Sequence, residues 1–548
     1  MSDDGGTTAA QAAAGGVLLT LASAQFLMTL DSSVMNVSMA TVAEDLGTTI
    51  TGIQTAITLY TLVMATLMIT GGKIGSLIGR RRAFAIGCVV YGAGSLVTGL
   101  APNLTVLILG WSFLEGMGAA LILPAVVALV AGNFAPTGRP RAYGLIAAAG
   151  AIAVAAGPLI GGAATTYASW RWVFYGEVIV VVGILALSRR MADTPAESKA
   201  RLDLVGTVLS VLGLGMFVYG VLRSSEWGWL NARENEPSIA GISMTFWLMG
   251  AGLVVVWLFL LWEGHLVRAG REPLVRPAMF RVGQLTGGLL MFFFQFLLQA
   301  GIFFVIPLYL SVDLALSAMA TGVRLMPLSI ALLVSALGVP RIWPQASPRR
   351  IVRIGLLLMI AGTITLFTGI TLDSGPAVVT IPLVLVGLGI GALASQLGAV
   401  TVSSVPTEQS GEVGGLQNTA TNLGASLGTA LAGSMLISVL TASLIAGIRD
   451  NPQVPDSAKS QASVQLASGV PFLSDAQAQS ALEKAGVPAD VTTAIVDANK
   501  QARVDGLDSA LAVMALVGVI ALFFTGRIPD HQPSGDDTPV DVEAGAAP

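Results

Sequence analysis

The stretch VLLTLASAQFLMTLDSSVMNVSM, residues 17–39, runs for 23 residues with a single charged side chain, Asp31, and no proline. A helix rises about 1.5 Å per residue and a bilayer's hydrocarbon core is about 30 Å thick, so roughly 20 apolar residues cross it. The segment is long enough to span. Runs of the same kind follow at 53–71, 83–100, 105–131, 142–163, 172–188, 204–222, 242–262, 283–310, 322–339, 352–371, 377–402, 414–440 and 509–526, which makes fourteen. One such run could be the core helix of a soluble domain, but fourteen with so little polar face cannot. The alternating ten-residue segments of a β-barrel are absent.

Composition agrees. Hydrophobic residues make up 54% of the 548, Asp, Glu, Lys and Arg only 11%, and mean hydropathy is +0.78. A soluble chain carries about one quarter charged residues. The formal charge of −4 excludes a polybasic nucleic-acid binder, and apolar content this high excludes a disordered chain. The lone Cys88 allows neither an intrachain disulfide nor a cysteine zinc site. The first sixteen residues carry Asp3 and Asp4 and no Lys or Arg, so the basic start of a signal peptide is missing and the first run is expected to stay as a span.

Loop charge sets the orientation. The loops on one side carry 18 basic residues, among them Lys73, Arg80–Arg82, Arg189, Arg190, Arg268, Arg349 and Arg350; the other side carries four, Arg171, Arg223, Arg233 and Arg324. Positive charge favours the cytoplasm, which puts the first set and both termini there, in a multi-pass protein of the inner (plasma) membrane. Residues 441–508 then form a 68-residue external stretch rich in Ala, Gln, Ser and Asp, read as a solvated hairpin with one or two short helices between Asp475 and Lys500. The same stretch is a candidate surface for an envelope protein. Residues 1–16 are expected as a cytoplasmic tail and 527–548 as a disordered acidic one.

Charges inside apolar helices are costly and mark function. Asp31 lies about fourteen residues, roughly 21 Å, above the cytoplasmic end of its helix, and Glu115 about ten residues, roughly 15 Å, below the outer end of the fourth. The two carboxylates therefore lie at similar depths, without the sequence showing that they face each other. Dehydration and a like-charged neighbour both disfavour the ionised form, which suits groups that exchange protons. Glu177, early in the sixth helix, is a shallower third candidate. Asn36 beside Asp31, Gln295, Gln299 and Tyr309 in the ninth helix, and Gln417, Asn418 and Asn422 in the thirteenth are polar groups able to line a substrate path. The phenylalanines at 292, 293, 294, 296, 303 and 304 suit an amphipathic or aromatic molecule better than a sugar. Gly157-Pro158 and the Gly157/Gly161 spacing, with Gly162, give a kink-prone small face for close helix approach.

Rival chemistry has little support. There is no Walker sequence, and His265 and His531 have no metal-binding context, so neither a cofactor nor a metal is expected and the chain does not read as an enzyme.

LDSSVMNVSMATVAEDL (30–46), GGKIGSLIGRRRAF (71–84), GPLIGG (157–162), SWRWVFY (169–175), DLVGTVLSVLGLGMFVYGV (203–221), WGW (227–229) and GGLQNTATNLGASLGTA (414–430) resemble signatures of the fourteen-helix drug:proton antiporter branch of the major facilitator superfamily. The resemblance implies an all-α polytopic fold of two six-helix bundles, 17–188 and 283–526, with two additional central helices over 204–262. It also implies alternating access about a cavity between the bundles, driven by inward proton flow. Gly72, Lys73, Gly75, Gly79, Arg80 and Arg81 fit the family's gating loop, and Gly157, Pro158, Gly161 and Gly162 its antiporter signature. Ser76-Leu77 replace the usual Asp-Arg. Ser112 replaces the usual arginine of the fourth helix, Glu115 a glutamine, and Glu177 an asparagine. Either coupling has moved to Glu115 or the chain is not a conventional proton-driven pump. The leading reading is export of amphipathic small molecules or drugs by proton antiport. Movement of a lipid or lipid-like molecule, or a transporter-like protein that organises envelope partners, are the alternatives.

Overall fold

The computed structural model describes residues 4–134, 139–191, 202–232, 236–405, 410–455, 459, 472–485 and 487–531. The helices are α1 (Asp4–Asp45), α2 (Ile50–Ile78), α3 (Arg80–Gly99), α4 (Leu104–Leu107, continuing through a π-helical stretch Ile108–Glu115 into Gly116–Asn133), α5 (Arg139–Tyr167), α6 (Arg171–Ser188), α7 (Leu204–Trp227) and α8 (Met244–Arg268). Then come α9 (Gly283–Leu308, ending in a π-turn Tyr309–Asp313), α10 (Ala318–Ile342), α11 (Pro348–Gly369), α12 (Thr380–Val402), α13 (Ser410–Asp450), a short α14 (Asp475–Lys484) and α15 (Ala489–Phe524). Among the described residues thirteen helices are long and apolar enough to cross a membrane, and α5, bent by 40° between Ala148–Val154 and Ala156–Tyr167, makes the fourteenth span. The chain is a multi-pass membrane protein.

Pro158 accounts for the bend. It has no N–H to give the Val154 carbonyl four residues back, and its ring crowds that carbonyl. The freed carbonyl instead accepts a hydrogen bond from Ser329 Oγ of α10 at 3.2 Å.

Helices α1 to α6 pack together, as do α9 to α13 with α15, while α7 pairs with α8 and leans on α2 and α13. With an even number of crossings, both chain ends lie at one face, here the terminal face; the other is the far face. The bundles meet where α2 packs on α13 and α5 on α10. Gln54 Nε2 donates to the Thr429 carbonyl at 3.1 Å, Ser426 Oγ to the Thr58 carbonyl at 3.3 Å, and the Met319 amide to Thr166 Oγ1 at 2.9 Å. At the terminal face Glu263, fully buried, accepts the Leu274 amide at 2.7 Å and pins the strap after α8, from which Glu272 pairs with Lys73 at 2.5 Å.

Several ends differ from the apolar runs. The helix of α1 starts at Asp4, inside the expected 1–16 tail, because the alanines there favour helix. A two-stranded hairpin, Ser238–Ile239 with Ile242–Ser243, joins α7 to α8. The largest difference is 441–508. It is not a solvated hairpin: α13 continues to Asp450 and α15 begins at Ala489, so α13's 41 residues measure about 62 Å, twice the bilayer core. The extensions persist because they bury apolar side chains, including Leu444, Ile448, Val491, Ala502 and Leu507. Between them Ser474 and Gln477 form a capping box on α14, so the expected short helix is present. Arg503, 2% exposed, clasps the knob: it reaches Asp313 at 2.8 Å, Asp475 at 2.7 Å and the Leu473 carbonyl at 2.8 Å. Residues 456–458, 460–471 and 486 of this stretch, and 532–548 of the acidic tail, lie outside the described residues.

Removing a partner from a buried ion pair costs several kcal/mol, less where one acid is half-exposed as Asp475 is. Arg503→Leu is therefore expected to lower the local stability of the knob by about 2 kcal/mol and to speed protease nicking between 451 and 488 roughly thirtyfold, read by limited proteolysis of purified protein.

Candidate functional site

Asp31 of α1, Glu115 of α4 and Glu177 of α6 converge inside the first bundle, each with a carboxylate oxygen within 4.8 Å of the others. They are 1%, 0% and 2% exposed. Glu177, shallow along its own helix, is brought in by α3, which runs between α4 and α6.

Three local features build the cluster. Gly94 lets α4 approach α3: a Cβ there would lie 2.6 Å from Glu115 Cγ and 2.7 Å from its amide nitrogen. The π-helical stretch Ile108–Glu115 widens α4 where it delivers Trp111 and Glu115, a distortion that recurs at functional sites. Tyr91, Ser95 and Thr98 form one polar stripe on α3, spaced four and three apart.

The donors are all neutral. The Trp111 indole N–H is shared between both Asp31 oxygens at 2.9 and 3.0 Å, and its ring stacks on Tyr60 of α2 with centroids 4.9 Å apart and a 5° tilt. Thr98 Oγ1 donates to Glu115 Oε1 at 3.0 Å; Ser95 Oγ and the Tyr91 hydroxyl donate to Glu177 Oε2 at 3.0 and 3.3 Å. Glu115 Oε2 and Glu177 Oε1 are buried without a hydrogen-bond partner. Among the described residues none of the three acids is in an ion pair. Ser112, where the resemblance would put an arginine, donates instead to the Ala56 carbonyl at 2.8 Å. Two unit charges 4.8 Å apart repel by about 3 kcal/mol at an effective dielectric of ~20. Three full charges here would therefore strain the bundle by about 10 kcal/mol unless protons relieve them.

The substrate-path residues divide. A small cavity lies between the bundles, and Ser33, Asn36 and Val37 line it from α1, Phe303 and Pro307 from α9, and Leu325, Leu328 and Ser329 from α10. On α1 those positions are two, five and six residues from Asp31, about 200°, 140° and 240° around the helix, so the acids and the cavity occupy opposite faces of α1. Gln295 and Gln299 lie on the same four-residue stripe of α9 as Phe303 and Pro307. Tyr309 is away from it, donating to the Ser374 carbonyl at the far face at 3.0 Å. Gln417 accepts from Thr401, and Asn418 and Asn422 donate to carbonyls of their own helix.

The gating residues sit at joints. Lys73 holds Glu272, Arg80 donates to the Ala128 carbonyl at 3.3 Å, and Arg81 to the Met191 carbonyl at 3.0 Å. Gly79 breaks α2 from α3 at φ +99°, a left-handed conformation that suits glycine. A Cβ on Gly72 would lie 3.5 Å from Pro124, and one on Gly75 3.8 Å from Ala83. On α5, Gly157 packs on Ser33 and Gly161 on Val34, while Gly162 faces the Ala318 carbonyl of α10; the GPLIGG stretch therefore touches α1 and the second bundle at once.

Trp111 and the α3 stripe were missed from sequence, although Tyr91, Ser95 and Thr98 at helical spacing in an apolar run were a visible signal. A double-mutant cycle of Trp111→Phe and Asp31→Leu, followed by thermal unfolding of the purified protein, is expected to give a coupling of about 1 to 3 kcal/mol, since the indole N–H bonds a carboxylate.

The family model described as Major Facilitator Superfamily matches residues 21–429. The puromycin resistance protein pur8 of Streptomyces alboniger is 31% identical over 76% of this chain and 80% of its own length. The tetracenomycin C resistance and export protein of Streptomyces glaucescens is 29% identical over 77% of this chain and 76% of its own. Among solved structures, a peptide transporter, POT, in complex with sulfate superposes with a TM-score of 0.58 at 14% identity, covering 94% of this chain and 96% of that one, which is a likeness of fold.

Proposed function

The chain belongs to the Major Facilitator Superfamily, and we propose that it exports amphipathic small molecules of the antibiotic or drug kind by antiport with protons that bind at Asp31, Glu115 and Glu177. The observation that carries the coupling is the cluster itself: three buried carboxylates within 4.8 Å, served only by neutral donors. The relatives named for resistance and export support the direction of transport. The basic loops support a plasma-membrane protein with the terminal face in the cytoplasm.

The mechanism follows from where the groups sit. Losing protons leaves repelling charges on α1, α4 and α6, and that repulsion is relieved by moving those helices apart or by admitting water. Trp111 transmits the shift to Tyr60 of α2, the helix that holds Thr429 of the second bundle through Gln54. Ser33, Val34 and the α5 glycines carry it to α10. The substrate binds on the other face of α1, so proton and substrate favour opposite arrangements of the bundles without touching. Release to the outside and proton entry from the outside are then alternate exits from one equilibrium.

Inside-out proteoliposomes with an acid interior are expected to accumulate a drug substrate, and Glu115→Gln or Asp31→Asn to cut gradient-driven uptake at least tenfold while leaving downhill exchange. Uptake unchanged in both variants would remove coupling from this cluster. Orientation is read separately in a Cys88→Ala background: Ala240→Cys should react with an impermeant maleimide on intact cells, and Gly270→Cys only after permeabilisation.

A further inference from the structure

The chemistry of the transported molecule is written on the α9 stripe. Gln295, 2% exposed, and Gln299 each leave the amide oxygen buried without a hydrogen-bond partner. A buried acceptor left unmade is costly, and the cost is recovered only by a donor brought to it. Gln299 is one turn and Gln295 two turns from the cavity-lining Phe303 on the terminal-face side, rotated about 40° and 80° from it, so the two orphaned acceptors adjoin the cavity without lining it. None of the side chains lining the cavity is ionisable, and the three carboxylates face away from it on the opposite side of α1.

We propose that this wall binds an uncharged amphiphile that carries hydroxyl or amide N–H donors, its donors on Gln295 and Gln299 and its apolar body on Phe303, Leu325 and Leu328. The inference rests on the export reading above and narrows its substrate class. A permanent cation would be stripped of water in a cavity with no counter-charge, which is heavily disfavoured. An uncharged donor satisfies two acceptors that the protein itself leaves empty.

The test uses three matched fluorescent probes with purified protein in nanodiscs: the dansyl amide of 8-(methylamino)octanol, whose sulfonamide has no N–H, its methyl ether, and the analogue with trimethylammonium in place of the hydroxyl. Expected is binding of the alcohol about tenfold tighter than the ether. Gln295→Leu with Gln299→Leu should reduce the alcohol to the ether's affinity and leave the ether unchanged, and the ammonium compound should not compete. Equal binding of alcohol and ammonium compound, or an alcohol affinity untouched by the glutamine substitutions, overturns the proposal. Gradient-driven uptake of the alcohol, and its dependence on Glu115, is scored in a separate assay. A cationic preference would therefore defeat this inference with export intact, and absent uptake would defeat the export reading on its own.

Discussion

Three carboxylates are held within 4.8 Å in the interior of a membrane bundle, and no cation accompanies them among the described residues. Opposite charge is an ordinary remedy for a buried anion, and among the described residues the fold supplies none. What it supplies is a shell of weak neutral donors, one indole and three hydroxyls, each drawn from a neighbouring helix. Such a shell supplies hydrogen bonds but no compensating charge, where an arginine in the Ser112 position would have held one acid in its charged form.

The proposed proton site draws on most of the surrounding helices. Asp31, Glu115 and Glu177 draw on α1, α4 and α6, with α3 between them, and the Trp111–Tyr60 stack adds α2. Those helices make up most of the first bundle. The second bundle is reached through small residues and a proline. Pro158 frees the Val154 carbonyl and Ser329 takes it, so a helix defect in one bundle becomes a hydrogen bond with the other. Bonds of this kind are worth about 1 kcal/mol each. That is strong enough to define a state and weak enough to be exchanged when the bundles move.

Much of the fold was legible because a bilayer permits so few solutions. Each apolar run of about twenty residues had to be a helix, and the bend in α5 could be read from Pro158. What could not be read is which faces meet. Glu177 lies near one end of its helix, and nothing in the run 172–188 says that Tyr91 and Ser95 will cover it. Nor does a hydropathy scan reveal that α13 and α15 continue as paired helices beyond the membrane. The α15 extension is polar on average, and the pair owes its stability to a thin apolar seam and to Arg503, whose partners Asp313 and Asp475 are 190 and 28 residues away. The glycines were legible as close-approach sites, but only the geometry tells that Gly94 serves Glu115 and Gly162 serves α10.

The opposite-face arrangement on α1 also constrains how coupling can operate. Were the acids to line the cavity, proton and substrate could displace each other directly, and charge on the substrate would set the affinity. Here Ser33 and Asn36 face one way and Asp31 the other, with a single helix, about 10 Å across, between them. Exchange must then be conformational: each ligand binds better in one arrangement of the bundles, and the coupling is limited to the difference in affinity each makes between the two. On the proposed coupling, selection of the molecule then falls to the cavity, and the acids set only the direction of exchange.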